Sequence, residues 1–473
     1  MHPALALQGP PRNVRRILLM ALIHPIRPLI YQAKDNHDIS GLIAPPYDVL
    51  DEDAKAALLS KNDQNFVAVD LPHLPAKTVG PDEAYEQAGN RFRQWLDDGV
   101  MGLYPKRQFF VYRQTFQLLG HAARYQRMGL FAGVAVQRLG ESKPGHGGIY
   151  PHEETFSGPK EDRLKLMRTT RSQLSPIFGL YSDADQQIRQ LLDPVTNSQP
   201  LLVGRTDHDD VLHEVWAVSD AHVSRQLVRL FETKDVFIAD GHHRYNTAVN
   251  YQQELIQASP DISSEHPVND CLFVLVAFED PGMQLGATHR VFGGIPDFNF
   301  PSFCKAADGL LKIETFSGDD LEALVAALAT TGPHAMGFYV PSESHAQLYL
   351  VTTTEADPLS STHGDRSLAW RQLNVSIVQH LVVERICKPL FLPSDQRSQI
   401  TWKFPHTLAE VREQSQAPDQ QFGVILQPVS IAEVQAVSQA GELMPQKSTF
   451  FYPKLASGLL VHPLEQLASY GGQ

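Results

Sequence analysis

The sequence predicts an α+β protein built on mixed sheets, and three observations carry that expectation. Strand-like and helix-like segments alternate without the steady βαβ rhythm of a doubly wound sheet. Two β-branched and aromatic stretches, residues 108–116 and 125–136, flank Gly120 in the manner of a hairpin. A short buried-strand pattern, Asp235-Val236-Phe237-Ile238-Ala239, runs through Asp240-Gly241 straight into helical periodicity.

Composition bounds the function. At 473 residues the chain is long enough for two or three domains with substantial cores. Its 42% hydrophobic and 20% charged residues are those of an ordinary globular protein. A formal charge of −13 opposes sequence-independent DNA binding and favours small-molecule partners. The widely spaced Cys271, Cys304 and Cys387 indicate neither a disulfide framework nor a structural zinc site, so a reducing cytoplasm is expected.

From the start of the chain, residues 1–19 carry paired prolines and no periodicity, which predicts a disordered extension with Met20 as an alternative start. The apolar run 17–23 after Arg15 and Arg16 is too short for a membrane span and lacks a small-residue cleavage pattern, so neither export nor membrane insertion is expected. Residues 20–139 read as an N-terminal α+β region. Pro45-Pro46 fixes an extended loop, and Asp51 is placed to cap a helix near 53–59. Asp48 reads as a turn residue before it reads as a metal ligand. The hairpin then leads into a glycine-rich loop, 140–148, either a surface connection or a lid.

Residues 140–300 hold most of the chemistry. Tyr150-Pro151-His152-Glu153-Glu154-Thr155 precedes a charged, helix-compatible run at 160–170, and a short strand follows Pro176-Ile177. At the 240–244 turn, a glycine lets backbone N–H groups approach a ligand, and the helix end that follows favours an anion. Tyr245, Ala248, Val249 and Leu255 give the helix, about 242–256, its apolar face. His242, His243 and Arg244 add donors suited to phosphate. The two adjacent histidines point about 100° apart, so a shared metal ion is not expected. An apolar strand at 272–278 leads to Thr288-His289-Arg290, which again offers His and Arg beside a strand.

Residues 301–473 form a C-terminal α+β region that ends in the segment from Met444 to Leu455. Lys447, Ser448, Thr449, Tyr452 and Lys454 lie in what otherwise reads as an apolar strand. Lys447 and Lys454 are an odd number of residues apart and cannot face one side of a regular strand. Lys447 is therefore the candidate for a pocket, unless Pro453 breaks the pattern. Each candidate also has a bland reading: histidines that cap a helix, Glu153 and Glu154 as solvated loop carboxylates, His289 and Arg290 as partners of a carboxylate.

The segments PPYDVL (45–50), YPHEET (150–155), ADGHHRYNTA (239–248), THR (288–290) and MPQKSTFFYPKL (444–455) together resemble the domain of unknown function 1015 family, over nearly the whole chain from Met20. The DGHHR string also resembles the nucleotide-handling turn of the ParB/sulfiredoxin superfamily, where free serine kinases carry the same string, ParB proteins a GERR form and sulfiredoxins a GCHR form. That resemblance implies a central ParB/sulfiredoxin-like nucleotide-binding domain at 140–300, with N- and C-terminal α+β elaborations. The sulfiredoxin reaction is excluded, because its reactive cysteine falls at His242 here and leaves no thiolate.

By the same resemblance, Gly241, His242, His243 and Arg244 bind nucleotide phosphates, with Arg290 and Lys447 as further phosphate candidates. Asp240 and His243 join Glu153 as catalytic candidates. In free serine kinases a Pro-His-Glu segment opens the domain and its glutamate is the base, which points to Glu153, with Glu154 as the adjacent substitute. An insertion between Glu153 and Asp240 is then required. His152 and His289 are candidates for substrate binding. The cofactor implied is Mg²⁺ with ATP or ADP, the partners a nucleotide and a small hydroxylated metabolite, L-serine first, with no nucleic acid or membrane. A glycine-rich Walker pattern does not occur. Three readings stay open: a small-molecule kinase, a nucleotide-binding or nucleotide-hydrolysing switch, and a metal-dependent hydrolase.

Overall fold

The computed structural model describes residues 21–32, 37–118, 123–139, 144–154, 160–295, 297–342, 346–392 and 400–465. The expected N-terminal extension, Met20, Gly120, Thr155 and the first part of the glycine-rich loop lie outside the described residues. The chain divides into two compact units that are not consecutive segments. One takes Met1–Pro151, Ser157–Met283 and Pro453–Gln473, the other His152–Phe156 and Gln284–Tyr452.

The first unit is organised around a mixed sheet to which, among the described residues, nine strands contribute. Near its centre Asp270–Ala277 lies antiparallel to Arg124–Ala135 and parallel to Ile177–Tyr181. Neighbours on both edges and burial on both faces explain why this strand reads as an unbroken apolar run. Beyond Arg124–Ala135 come Phe110–Gln117, Val211–Ala217 and Leu202–Thr206, each antiparallel to the last. Phe116 pairs with Tyr125, the hairpin that the sequence predicts. Beyond Ile177–Tyr181 come Val236–Asp240, antiparallel, and Ile149–Pro151, parallel to it. Phe109, Leu130, Val134, Tyr245, Phe273 and Leu275 are fully buried in one core.

Helices of this unit pack through their apolar stripes. Asp82–Asp97 buries Tyr85, Ala88, Phe92 and Trp95, spaced three and four residues apart as one helical face requires. Lys160–Thr170 packs against both that helix and His242–Ala258. Asp51 caps Glu52–Lys61 by accepting the Ala54 N–H at 2.8 Å, as its position before the helix predicts.

The second unit has an antiparallel sheet in the order Leu311–Phe316, Gln347–Thr353, Met336–Val340, Gln420–Ile425, Arg290–Gly293, Thr401–Lys403. Phe422 anchors its aromatic core, with ring centroids 4.2 Å from Phe292 and 5.0 Å from Phe298. Gln284–Gly286 pairs separately with Phe450–Tyr452. Those three residues are all the strand that forms between Met444 and Leu455, which corrects the longer strand expected there. Pro445 and Pro453 supply no ladder N–H, and Lys447 adopts a left-handed φ of 57°, so the pairing stops on both sides. The fold class is α+β with mixed sheets, as the sequence predicts. Among the described residues no helix is long and apolar enough to cross a membrane.

Candidate functional site

The turn at 240–244 forms where the sequence places it. Val236–Asp240 is a buried strand, and a bulge between Ile238 and Asp240 shifts its register against Ile177–Tyr181, bringing Asp240 opposite Phe178. Gly241 follows at φ 95° and ψ 22°, a left-handed conformation that glycine adopts without penalty. A β-carbon there would lie 3.0 Å from Ile177 Cδ1 and 3.1 Å from Arg244 Nη2. The helix His242–Ala258 then starts, with Tyr245 N–H donating to the Gly241 carbonyl at 2.9 Å. The first turn of a helix has N–H groups with no partner inside the helix, and its dipole is positive at this end.

Charge gathers around that helix start. Arg244 donates through Nη1 to the Pro176 carbonyl at 2.5 Å, and its Nη2 lies 3.9 Å from Asp240 Oδ1. Lys454 donates through Nζ to Asp240 Oδ2 at 3.0 Å. One carboxylate thus sits between two cations. His242 is buried against the unit while His243 is half-buried, the divergence expected of neighbours on a helix.

A pocket opens beside Arg244, lined among others by Tyr47, Asp70, Arg163, Ser175 and Thr247. Arg163 donates to Asp162 Oδ2 at 2.7 Å and to the Asp70 carbonyl at 2.7 Å, and its guanidinium stacks 3.8 Å over the Tyr47 ring. Asp70 Oδ2 accepts from Ser175 at 3.0 Å and from Ser457 at 2.8 Å. Asp162 also accepts from Tyr85 at 2.6 Å and sits 2.9 Å from His73 Nε2. The partners of Asp162, chiefly Arg163, outweigh its burial and hold its carboxyl below the usual range. Burial pushes the Tyr47 phenol well up, with Arg163 and Arg244 opposing.

The Glu153 group lies in the second unit. His152 is fully buried, with Nε2 2.8 Å from Thr449 Oγ1 and an edge-on contact to Phe451. Glu153 Oε2 accepts the Ser448 N–H at 3.2 Å and lies 3.5 Å from Thr449 Oγ1. Met444 fixes the backbone on both sides, donating to the His152 carbonyl at 3.0 Å and accepting from Glu154 N–H at 2.9 Å. Glu153 is therefore a held carboxylate, 14% exposed at its side chain. Arg290 is buried and donates to the carbonyls of Thr288 at 3.0 Å and Lys447 at 2.9 Å. Burial brings its pKa down to about 10, against the pull of Glu153. His289 Nδ1 accepts the Leu426 N–H at 3.1 Å, and burial first, then neighbouring His406 and Arg290, lower its pKa to about 4.

With this geometry in view, a family profile described as "Protein of unknown function (DUF1015)" matches residues 23–376. The chain belongs to that family. No curated protein sequence matches it. Among solved structures, a conserved hypothetical protein from Pyrococcus furiosus matches at 13% identity and a TM-score of 0.30, over 65% of this chain and 88% of its own. Free serine kinase in complex with AMP matches at 12% and 0.30, over 64% and 83%. SbnI with a C-terminal truncation, from Staphylococcus aureus, matches at 12% and 0.30, over 68% and 87%. At such scores these likenesses carry no argument about activity.

In this DUF1015 member the segments quoted from the sequence sort into two groups. The 240–244 turn, Tyr47 and Lys454 belong to the first unit. His152, Glu153, Glu154, His289, Arg290 and Lys447 belong to the second. The lysine beside the turn is Lys454, whereas Lys447 is exposed and offers its carbonyl to Arg290. Asp48 lies in the short helix Tyr47–Val49 and pairs with Lys77 at 3.4 Å. Asp70, Ser175 and Ser457 went unseen in the sequence because isolated aspartates and serines carry no periodic or motif signal. The glycine-rich loop, where described, is tied down: Asp235 accepts from the N–H of Gly145 at 2.5 Å, Gly147 at 2.7 Å and Gly148 at 3.3 Å. Among the described residues no three His, Cys, Asp or Glu side chains are grouped so as to hold a metal ion.

Proposed function

We propose that this protein is a nucleotide-dependent phosphotransferase acting on a small hydroxylated metabolite, with the nucleotide's phosphates held at residues 240–244. The observation that carries this reading is the left-handed Gly241 opening a 17-residue helix, with Arg244 and Lys454 flanking Asp240. Backbone N–H groups, the positive end of the helix dipole and two cations on one carboxylate leave that point positive, which suits a phosphate chain. Residues 140–300 are proposed as the nucleotide-binding segment, in which Gly241, His242, His243 and Arg244 form the phosphate turn.

Glu153 is proposed as the base. As the acceptor oxygen bonds to the terminal phosphorus, the bridging P–O bond breaks, the hydroxyl proton passes to Glu153, and the nucleotide leaves one phosphate shorter. Glu153 is held by the Ser448 N–H, which keeps the carboxylate oriented. His152 and His289 are proposed for acceptor binding, and Asp240 and His243 for the reacting end of the phosphates. Magnesium would be held by phosphate oxygens and by Asp240, a carboxylate 26% exposed at its side chain and so open to such a role. The free thiols of Cys271, Cys304 and Cys387 suit the proposed cytoplasmic location.

Thermal unfolding with ATP, ADP and L-serine, on the wild type and Arg244→Ala, tests the reading. Nucleotide at 100 times Kd should stabilise the wild type by about 2.7 kcal/mol, and the variant by much less. Phosphoserine formed from ATP, Mg²⁺ and serine identifies the reaction. A wild type that responds to no nucleotide removes the proposal.

A further inference from the structure

Lys454 comes from a distant part of the chain, yet its position is set by buried side chains. Arg127 Nη2 donates to the Pro453 carbonyl at 2.5 Å, and Gln114 Nε2 donates to the Lys454 carbonyl at 3.0 Å. Arg127 and Gln114 are themselves joined, Arg127 Nε to Gln114 Oε1 at 3.1 Å. Both are buried on the paired strands Phe110–Gln117 and Arg124–Ala135. The Arg127 guanidinium also stacks 4.8 Å from the centre of the Phe178 ring, and Phe178 is the residue opposite Asp240 in the sheet. The same bracket therefore fixes the backbone of Lys454 and touches, through Phe178, the strand that pairs with Val236–Asp240.

A fully buried guanidinium is expensive to desolvate, and here burial lowers its pKa to about 10, which still leaves it charged at neutral pH. It holds the Pro453 carbonyl, while Gln114, which it grips, holds that of Lys454. The consequence is an ammonium 3.0 Å from Asp240, at the N-terminal end of the helix that begins at His242. An ammonium carries three donors, so holding Asp240 is compatible with meeting a phosphate oxygen.

We propose that Lys454 is a phosphate-binding residue of the 240–244 turn, delivered by the Arg127–Gln114 bracket; this rests on the phosphotransferase reading. Asp240 orients the ammonium in the empty protein, and Lys454 then adds its charge to that of Arg244 on the phosphates. Its contribution should grow with the number of phosphates and vanish for a nucleoside.

Calorimetric titration of the full-length protein with adenosine, AMP and ADP tests this, comparing the wild type, Lys454→Met and a control, Lys61→Met, which breaks only an exposed pair with Asp207. Lys454→Met should weaken ADP by about tenfold or more, AMP by less, and adenosine by less than about twofold, with Lys61→Met unchanged. If Lys454→Met fails to fold, Lys454→Gln takes its place in the same comparison. ADP binding within about twofold of wild type in the variant overturns the role of Lys454 and leaves the phosphotransferase reading standing. A wild type that binds none of the three probes overturns both.

Discussion

A methyl group at position 241 is the smallest change that probes the turn. Gly241→Ala would hold an L-residue at φ 95° and set a β-carbon 3.0 Å from Ile177 Cδ1. The expected cost is about 1–2 kcal/mol of stability, together with weaker ADP binding because the helix start shifts. Denaturant unfolding and calorimetry measure the two effects, and an alanine variant equal to wild type in both would mean that the turn is not strained in this way. Glu153→Gln probes the other unit. The amide oxygen can still accept from Ser448, so turnover should fall by about 10²–10⁴-fold while ADP affinity hardly changes. Loss of ADP binding in step with turnover would make Glu153 a binding residue instead. At this scale the sequence was most legible where local chemistry decides: Gly241 between a strand and a helix reads as a turn without knowledge of anything distant. Lys454 was not legible, because its place depends on Arg127 and Gln114, more than 300 residues away in sequence, and on a strand that stops at Tyr452.

Elements were legible where one face is buried. Asp82–Asp97, His242–Ala258 and the hairpin of Phe110–Gln117 with Arg124–Ala135 follow from the spacing of their apolar residues, since burial of that face is what stabilises them. The segment from Met444 to Leu455 misled because its aromatic run Phe450-Phe451-Tyr452 reads as part of a longer strand, while two prolines and a left-handed Lys447 interrupt the ladder. The glycine-rich loop was ambiguous between connection and lid, and its described part is pinned by Asp235 at the head of the next strand. Asp235→Ala should therefore free residues 145–148 at a stability cost of about 1–3 kcal/mol, since water can replace the carboxylate at the exposed Gly145 but less readily at the buried Gly147 and Gly148. Hydrogen exchange at Gly145 and Gly147 should accelerate. If it stays at the wild-type rate, the carboxylate does not order the loop.

For the whole molecule, each unit carries a buried histidine that is neutral in the folded state, and both act in the same direction with pH. His213, in the first unit, sits 2.7 Å from the Tyr112 hydroxyl and 3.1 Å from Thr206 Oγ1, and burial, reinforced by Arg127, lowers its pKa to about 3. His289, in the second, falls to about 4. In the unfolded chain both return to about 6.5. The unfolded state therefore takes up protons first as pH falls. The stability due to each neutral imidazole is complete above pH 6.5 and is lost as pH drops from there towards the folded pKa. Between pH 7.5 and 5.5 each should withdraw about 1.4 kcal/mol. Denaturant unfolding at both pH values, for wild type, His213→Gln and His289→Gln, isolates the effect. Each variant should start lower, because a buried hydrogen bond is altered, yet lose about 1.4 kcal/mol less than wild type on acidification. Equal losses in wild type and both variants would show that these imidazoles do not govern the acid response. The other buried or partly buried histidines, such as His462 and His334, would then have to account for it.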